Sequence, residues 1–339
     1  MQFASEAELD LALSEPTPQV IETLSRLDGD LLILGVSGKM GPTLARMARR
    51  ALDAAGSQAR LFGAARFSSC SAEEIAALGV EPICCDLLDE ADVERLPEAG
   101  TVIVMLGRKF GTAEDQPATW AMNAYAPALL CRRFRRSRLL VFSTGNVYGL
   151  TSADGPGSRE EDAPAPVGEY AMSALGRERM YEYFSRAWGI PMAICRLNYA
   201  CDLRYGVLVD LATQISAGRP VDLGMGYFNT IWQRDACDLA LRALEHLETP
   251  PWVFNLTGPE RLSVREAGQR LANLLGCRVT FSGTETEHAL LSDASRCFAE
   301  LGKPATSADA LIEAVAHWLR QGGRLLGKPT HFESRDGRF

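Results

Sequence analysis

The 339-residue sequence lacks any run of about 18 consecutive apolar residues, the length a membrane-spanning helix requires. Its opening, MQFASEAELD, has neither the cationic start nor the apolar stretch of a secretory leader. Histidine is scarce: His246, His288, His317 and His331 lie far apart, and no two share metal-ligand spacing. The nine cysteines form no C-x-x-C pair, which argues against a zinc site and a disulfide framework. Buried free thiols in a reducing compartment are the simpler reading, so a cytoplasmic location is expected, with no metal. An excess of positive charge is missing too. Lys and Arg number 35 against 43 Asp and Glu, a net charge of −8, which argues against a general nucleic-acid binder. The one basic cluster, Arg132, Arg133, Arg135, Arg136 and Arg138, follows an apolar run and reads as the solvated end of a helix. Neither nucleic acid nor membrane is expected as a partner.

What is present is the composition of an ordinary globular chain, 47% hydrophobic and 23% charged. The first thirty residues read as an appendage of two short helices, the first opened by a Ser5/Glu8 capping box. Asp30 then precedes the continuous apolar run Leu31–Leu34, too short for a helix and suited to a strand buried on both faces. From there strands and helices alternate. Strands are expected at 31–35, 60–63, 82–85, 102–106, 139–143 and 191–196, and helices at 42–55, 72–78, 120–134 and 170–188. Such alternation means βαβ units and a parallel sheet covered by helices. The Gly-, Pro- and acid-rich stretch 151–168 is too long for a simple connector and reads as functional or mobile.

The first strand ends in Gly35-Val36-Ser37-Gly38-Lys39-Met40-Gly41, a G-x-x-G-x-x-G spacing at a strand-to-helix junction. Gly35 permits a tight turn, Gly38 lets the backbone approach a pyrophosphate, and Gly41 lets the helix lie close to the strand. The helix N-terminus then offers unpaired N–H groups to the anion. Glycines serving only a tight turn are the competing reading. A P-loop is excluded, because Lys39 is followed by Met40. The expected fold is α/β, a Rossmann-like doubly wound parallel sheet with a smaller, discontinuous C-terminal substrate lobe. The expected boundaries are 1–29 for the helical extension, 30–197 with 229–257 for the cofactor domain, 198–228 with 258–325 for the lobe, and 326–339 for a tail.

A carboxylate should end the second strand if the cofactor were plain NAD. The chain instead reads Phe62-Gly63-Ala64-Ala65-Arg66-Phe67-Ser68-Ser69. Arg66 suits a 2′-phosphate, so NADP is expected in preference to NAD; the alternative is that Arg66 stacks on the adenine. Asp86, at the end of the third strand, suits the adenine amino group.

These residues carry a resemblance. The glycine turn, Cys85-Asp86-Leu87, Asn123, Ser143-Thr144-Gly145-Asn146-Val147-Tyr148-Gly149, Asp235 and Phe254-Asn255-Leu256 together resemble the extended short-chain dehydrogenase/reductases, the NAD(P)-dependent sugar epimerase/dehydratase group. The similarity runs from about Leu31 to Leu319. It implies that Thr144 binds the substrate oxygen and that Tyr170 transfers its proton. It also implies a Lys four residues after the Tyr, where this chain has Ala174. A phenol of pKa near 10 is ionised in only about one molecule in a thousand at neutral pH, and a nearby cation favours the phenolate. Lys109, or Arg108, just past the fourth strand, is the candidate replacement cation. Arg177 is less attractive, lying about two helical turns beyond Tyr170.

The resemblance further implies cofactor contacts by Gly35, Ser37, Gly38, Lys39, Met40, Gly41, Arg66, Asp86, Leu87, Leu106, Gly107, Asn123 and Tyr170. Substrate contacts are expected from Thr144, Asn146, Asn198 and Arg234. The expected activity is that of an NAD(P)-dependent oxidoreductase or epimerase on a sugar or sugar-derived hydroxy/keto compound. A homodimer through helices 120–134 and 170–188 is implied as well. Ala174 motivates the alternative, an NAD(P)-binding sensor with weakened or lost catalysis.

Overall fold

A computed structural model describes residues 1–109, 111–112 and 114–337. The last two residues of the expected tail lie outside that set. Seven strands form one sheet: β1 (Leu31–Leu34), β2 (Leu61–Ala65), β3 (Glu81–Cys84), β4 (Thr101–Val104), β5 (Arg138–Thr144), β6 (Met192–Leu197) and β7 (Trp252–Leu256). All six pairings are parallel, and the spatial order is β7-β6-β5-β4-β1-β2-β3. β1 is buried throughout, as its unbroken apolar run requires of a central parallel strand. The order reverses between β1 and β4. Their carboxyl ends therefore diverge and open a crevice, the place where open α/β sheets bind ligands.

Helices cover both faces. In chain order they are α1 (Glu6–Leu13), α2 (Pro18–Ser25), α3 (Gly41–Ala54), α4 (Ala72–Ala76), α5 (Glu90–Glu94), α6 (Gln116–Trp120), α7 (Ala126–Arg133), α8 (Gly168–Trp188), α9 (Val207–Ser216), α10 (Gln233–Arg242), α11 (Val264–Leu275), α12 (Ser295–Leu301) and α13 (Ala308–Arg320). One apolar core lies under α2, α3 and α10, and another under α7 and α8. A third core joins α9, α11 and α13 to Leu9 and Leu13 of α1 and to Phe332 of the tail.

Two expectations change. The helix expected over 120–134 is interrupted by a π-helical turn at Ala121–Tyr125, whose closing bond runs from the Ala126 N–H to the Ala121 carbonyl. Pro127 has no N–H with which to continue an α-helical ladder, so the chain widens by one residue just before it. The extension is more than an appendage: α1 and α2 are divided between two cores. The Thr17 hydroxyl caps α2 and donates to Asp238 of α10 at 2.5 Å.

Candidate active site at the β1–β4 crevice

Gly35, at φ +80°, turns the chain out of β1; a Cβ there would stand 2.9 Å from the Met105 carbonyl oxygen. A Cβ on Gly41 would overlap the Val36 carbonyl, so only glycine lets α3 start this close to the strand. The turn opens onto a cavity of about 390 Å³ that spans the switch point. Of the residues expected to meet a cofactor, Gly35, Ser37, Gly38, Arg66, Asp86, Leu87, Leu106 and Gly107 line this cavity, as does Lys109. Arg66 and Asp86 face each other at 3.8 Å at the β2–β3 end. Arg108, the other candidate cation, lines the cavity too, and the sequence reading missed Ser68 and Met122 on the same walls. Ser68 was the more legible of these, two residues past Arg66.

The remaining expected cofactor residues stand elsewhere. Met40 packs into the core beneath the turn. Lys39 turns toward the smaller lobe, its ammonium 3.7 Å from the centre of the Tyr205 ring. Burial lowers the Lys39 pKa to about 7, helped by repulsion from Lys109 and Lys328. Asn123 is fully buried behind the cavity wall. Its side-chain oxygen accepts the Arg108 N–H at 3.0 Å, and its amide donates to the Arg108 carbonyl and to Ser173 Oγ. Ser173 Oγ in turn donates to the Tyr170 carbonyl at 3.0 Å. One asparagine thus clasps the turn after β4 to the first turn of α8, which carries Tyr170.

Thr144 ends β5. Its Oγ1 accepts the Asn146 N–H at 3.2 Å and the Asn146 side-chain amide at 3.0 Å. With both lone pairs taken, its own proton is what the hydroxyl can offer to an oxygen placed before it. The turn Gly145–Val147 packs against α8, which brings Tyr170 to the same region. Tyr170 is buried. Ala174 is fully buried with Val147 and Tyr148.

Three expectations require correction. Asn198 is buried behind Gly145, and its amide is spent on Asn229 at 3.0 Å, tying β6 to the segment before α10. Arg234 faces a different cavity, with Met1, Phe3, Glu8 and Leu11 of the extension; it sits in the first turn of α10, over which α1 folds. Arg177 is less attractive on distance along the helix, yet its guanidinium lies against Gly107, a residue of the cavity wall. The buried stripe of α8 repeats through Tyr170, Ala174, Arg177 and Glu178, and the long side chain of Arg177 lies beneath Gly107.

The tail supplies groups that local sequence could not place. The Lys109 ammonium donates to the Thr330 carbonyl at 3.1 Å, while the Thr330 N–H and hydroxyl both donate to Asp210 at 2.8 and 2.6 Å. Burial lowers the Lys109 pKa to about 8, against the opposing charges of Glu333 and Asp210. Gly337 closes against Val167 and Gly168, at the start of α8. The tail therefore bridges the sheet domain and α9 beside Tyr170. The long segment 151–168 is likewise tied down: Asn255 donates its backbone N–H to Glu160 and its side-chain amide to the Ser158 carbonyl. Among the described residues no group of three or more His, Cys, Asp or Glu is placed to hold a metal, and no helix is long and apolar enough to cross a membrane.

A seven-stranded parallel sheet with helices on both faces and a glycine turn at its switch point is a Rossmann-like α/β fold. The sequence profile of the NAD dependent epimerase/dehydratase family matches residues 31–256, and the chain belongs to that family. Solved structures with the same fold include UDP-glucose 4-epimerase of Thermotoga maritima with UDP-glucose, at 18% identity and TM-score 0.72, covering 86% of this chain and 99% of that one. A dTDP-glucose 4,6-dehydratase of Streptomyces venezuelae with NAD bound is similar at 19% identity and TM-score 0.71, with 86% and 97% covered. An epimerase of Methanothermobacter thermautotrophicus reaches TM-score 0.74 at 16% identity, with 91% and 97% covered. A search of curated protein sequences finds no match.

Proposed function

We propose that the protein is an NAD(P)-dependent oxidoreductase or epimerase-type enzyme acting on a sugar or sugar-derived hydroxy/keto compound. The observation that carries this reading is the single cavity running from Arg66, past the glycine turn, to Gly107 and Lys109. It has an adenosine end at β2–β3, a pyrophosphate cradle at the switch point, and a nicotinamide end under β4, beside the turn that holds Thr144. A nicotinamide bound there supplies the hydride chemistry. The chain's own residues do the rest. Thr144 donates a hydrogen bond to the substrate oxygen and polarises it. Tyr170 exchanges the proton of that oxygen, and Lys109, with its ammonium held at the rim, supplies the nearby cation. Asn146 fixes the Thr144 hydroxyl, and Asn123 fixes Tyr170 relative to the cavity.

NADP is favoured over NAD because Arg66 and Ser68 stand at the end of β2 where a carboxylate would otherwise receive the ribose. Large apolar side chains left exposed on neighbouring helices, Trp120, Tyr125, Met172 and Tyr183, support a homodimer through α6–α8. A second reading, cofactor binding without turnover, is favoured by Ala174, which is sealed against Val147 and Tyr148 in place of a cation.

Titration of NADPH and NADH by fluorescence tests the cofactor assignment; failure of both to bind at tens of micromolar refutes it. Arg66→Ala is expected to weaken NADPH roughly tenfold more than NADH, the scale of one charge-assisted contact. Equal losses would remove the phosphate role. Once a substrate is found, Tyr170→Phe should abolish turnover while leaving NADPH affinity within about twofold; retained turnover would refute the proton-transfer role.

A further inference from the structure

Arg177 is 3% exposed. Its Nη1 donates to the Phe142 carbonyl at 3.0 Å and its Nη2 to the Asn123 side-chain oxygen at 2.7 Å. Its Nε is buried with no acceptor. Among the described residues no carboxylate lies within ion-pair distance of it, although the next residue, Glu178, is ion-paired with Arg196. Buried charges are ordinarily paired, because neutral acceptors recover only part of the hydration they replace. An uncompensated guanidinium here is therefore a standing source of positive potential. Its direction is defined. A Cβ on Gly107 would stand 2.8 Å from Nη2, so the guanidinium lies against that residue, and Gly107 lines the cavity at its β4 end.

We propose that Arg177 is an electrostatic determinant of which redox form of the nicotinamide the site holds, favouring the neutral reduced ring over the cationic oxidised ring. The proposal rests on the cofactor reading above. An oxidised nicotinamide carries a positive charge that reduction removes, and the guanidinium stands against Gly107, at the β4 end of the cavity. Like charges at that separation inside a protein repel appreciably, whereas a neutral ring meets no such cost. The adenosine and pyrophosphate portions of the two forms are the same, so the preference appears as a ratio of affinities and not as affinity overall. Arg177 does not line the cavity. It acts through its field at Gly107, in the manner by which protein charges tune a bound cofactor.

The test compares dissociation constants of the whole protein for NADPH, NADP+ and 2′-phospho-ADP-ribose by calorimetry, with NADH, NAD+ and ADP-ribose in parallel. The wild-type protein is expected to bind the reduced form roughly tenfold or more tightly than the oxidised form, the size of a screened charge–charge repulsion. Arg177→Gln keeps amide donors for the Phe142 carbonyl and Asn123 but removes the charge; it should bring the ratio to within about twofold of one and leave the ADP-ribose constants unchanged. Arg177→Lys should preserve most of the ratio. A wild-type ratio near one, or an unchanged ratio in Arg177→Gln, overturns the proposal. Should the Gln variant fail to fold, the wild-type ratio and the Lys variant still decide it: a ratio lost in Arg177→Lys, with ADP-ribose binding intact, refutes a charge effect. Loss of binding by all six probes would instead refute the cofactor reading. A merely structural role for Arg177 would shift the affinities for both redox forms together and leave their ratio in place.

Discussion

Two buried arginines flank the candidate site, and they are solvated in opposite ways. Arg196, on β6, meets Glu178 of α8 through Nε at 3.0 Å and Nη2 at 2.7 Å, and its Nη1 donates to the Tyr148 hydroxyl at 2.6 Å. Ser143 Oγ donates to the same carboxylate at 2.5 Å, and the Tyr148 hydroxyl donates to Asn255. Burial opposes the charge of Arg196, but the hydrogen bonds and charge of Glu178 outweigh it, and its pKa is raised. Arg177 is adjacent to Glu178 in sequence, yet it has only two neutral acceptors. The same helix therefore carries a charge cancelled on the spot, between β5 and β6, and a charge left to act at a distance, beside Gly107. The first arrangement holds Ser143, and with it Thr144, in register. The second does little for register and leaves a potential at the cavity.

The largest expected effect breaks the cancelled pair. Arg196→Met leaves Glu178 buried without its partner, and Glu178→Gln does the converse. Each should cost about 3–5 kcal/mol in urea unfolding, the usual penalty for orphaning a buried ion. The double variant Arg196→Met/Glu178→Met should recover part of that loss, since neither charge then needs solvating. A single-variant loss below about 1 kcal/mol would erase the distinction between the two arginines.

Arg177→Gln, read for stability alone, should cost about 1 kcal/mol or less. Two hydrogen bonds weaken, but a charge that lacked a counterion leaves the interior. A loss as large as that of Arg196→Met would place both arginines in the same structural role.

The sheet, the glycine turn and the cavity wall from Arg66 to Gly107 were legible because they depend on local rules. An unbroken apolar tetrad is a central parallel strand, and glycines at a strand-to-helix junction answer to backbone geometry. Thr144 and Tyr170 stood out through one motif and its spacing. What was not legible depends on contacts between distant parts of the chain. Lys109 and Thr330 are 221 residues apart, and nothing near either one announces their hydrogen bond. Arg234 is expected to meet substrate, but no local signal shows that the extension folds over it. Arg177 was discounted by counting turns from Tyr170, whereas its relevant neighbour is Gly107, brought up by β4. The π-helical turn was the nearest miss, since Pro127 was in plain view.

A third cation, Lys39, lies between the two extremes, half-buried over Tyr205, and its effect is one of pH dependence. Burial is the main cause of its lowered pKa of about 7, with Lys109 and Lys328 adding repulsion and Asp210 opposing. The sign follows from proton counting. Between about pH 7 and the ordinary lysine range near 10.4, the unfolded chain holds a proton on this group that the folded chain has released, so stability rises with pH across that window. Below pH 7 the charge is present in both states, and the folded protein bears the full cost of desolvating it. Lys39→Met removes this contribution. The stability difference, wild type minus variant, should therefore climb steadily from pH 7 toward pH 9.5 in urea titrations, while staying flat between pH 5.5 and 6.5. A difference independent of pH would show that Lys39 keeps its proton in the folded protein across this range.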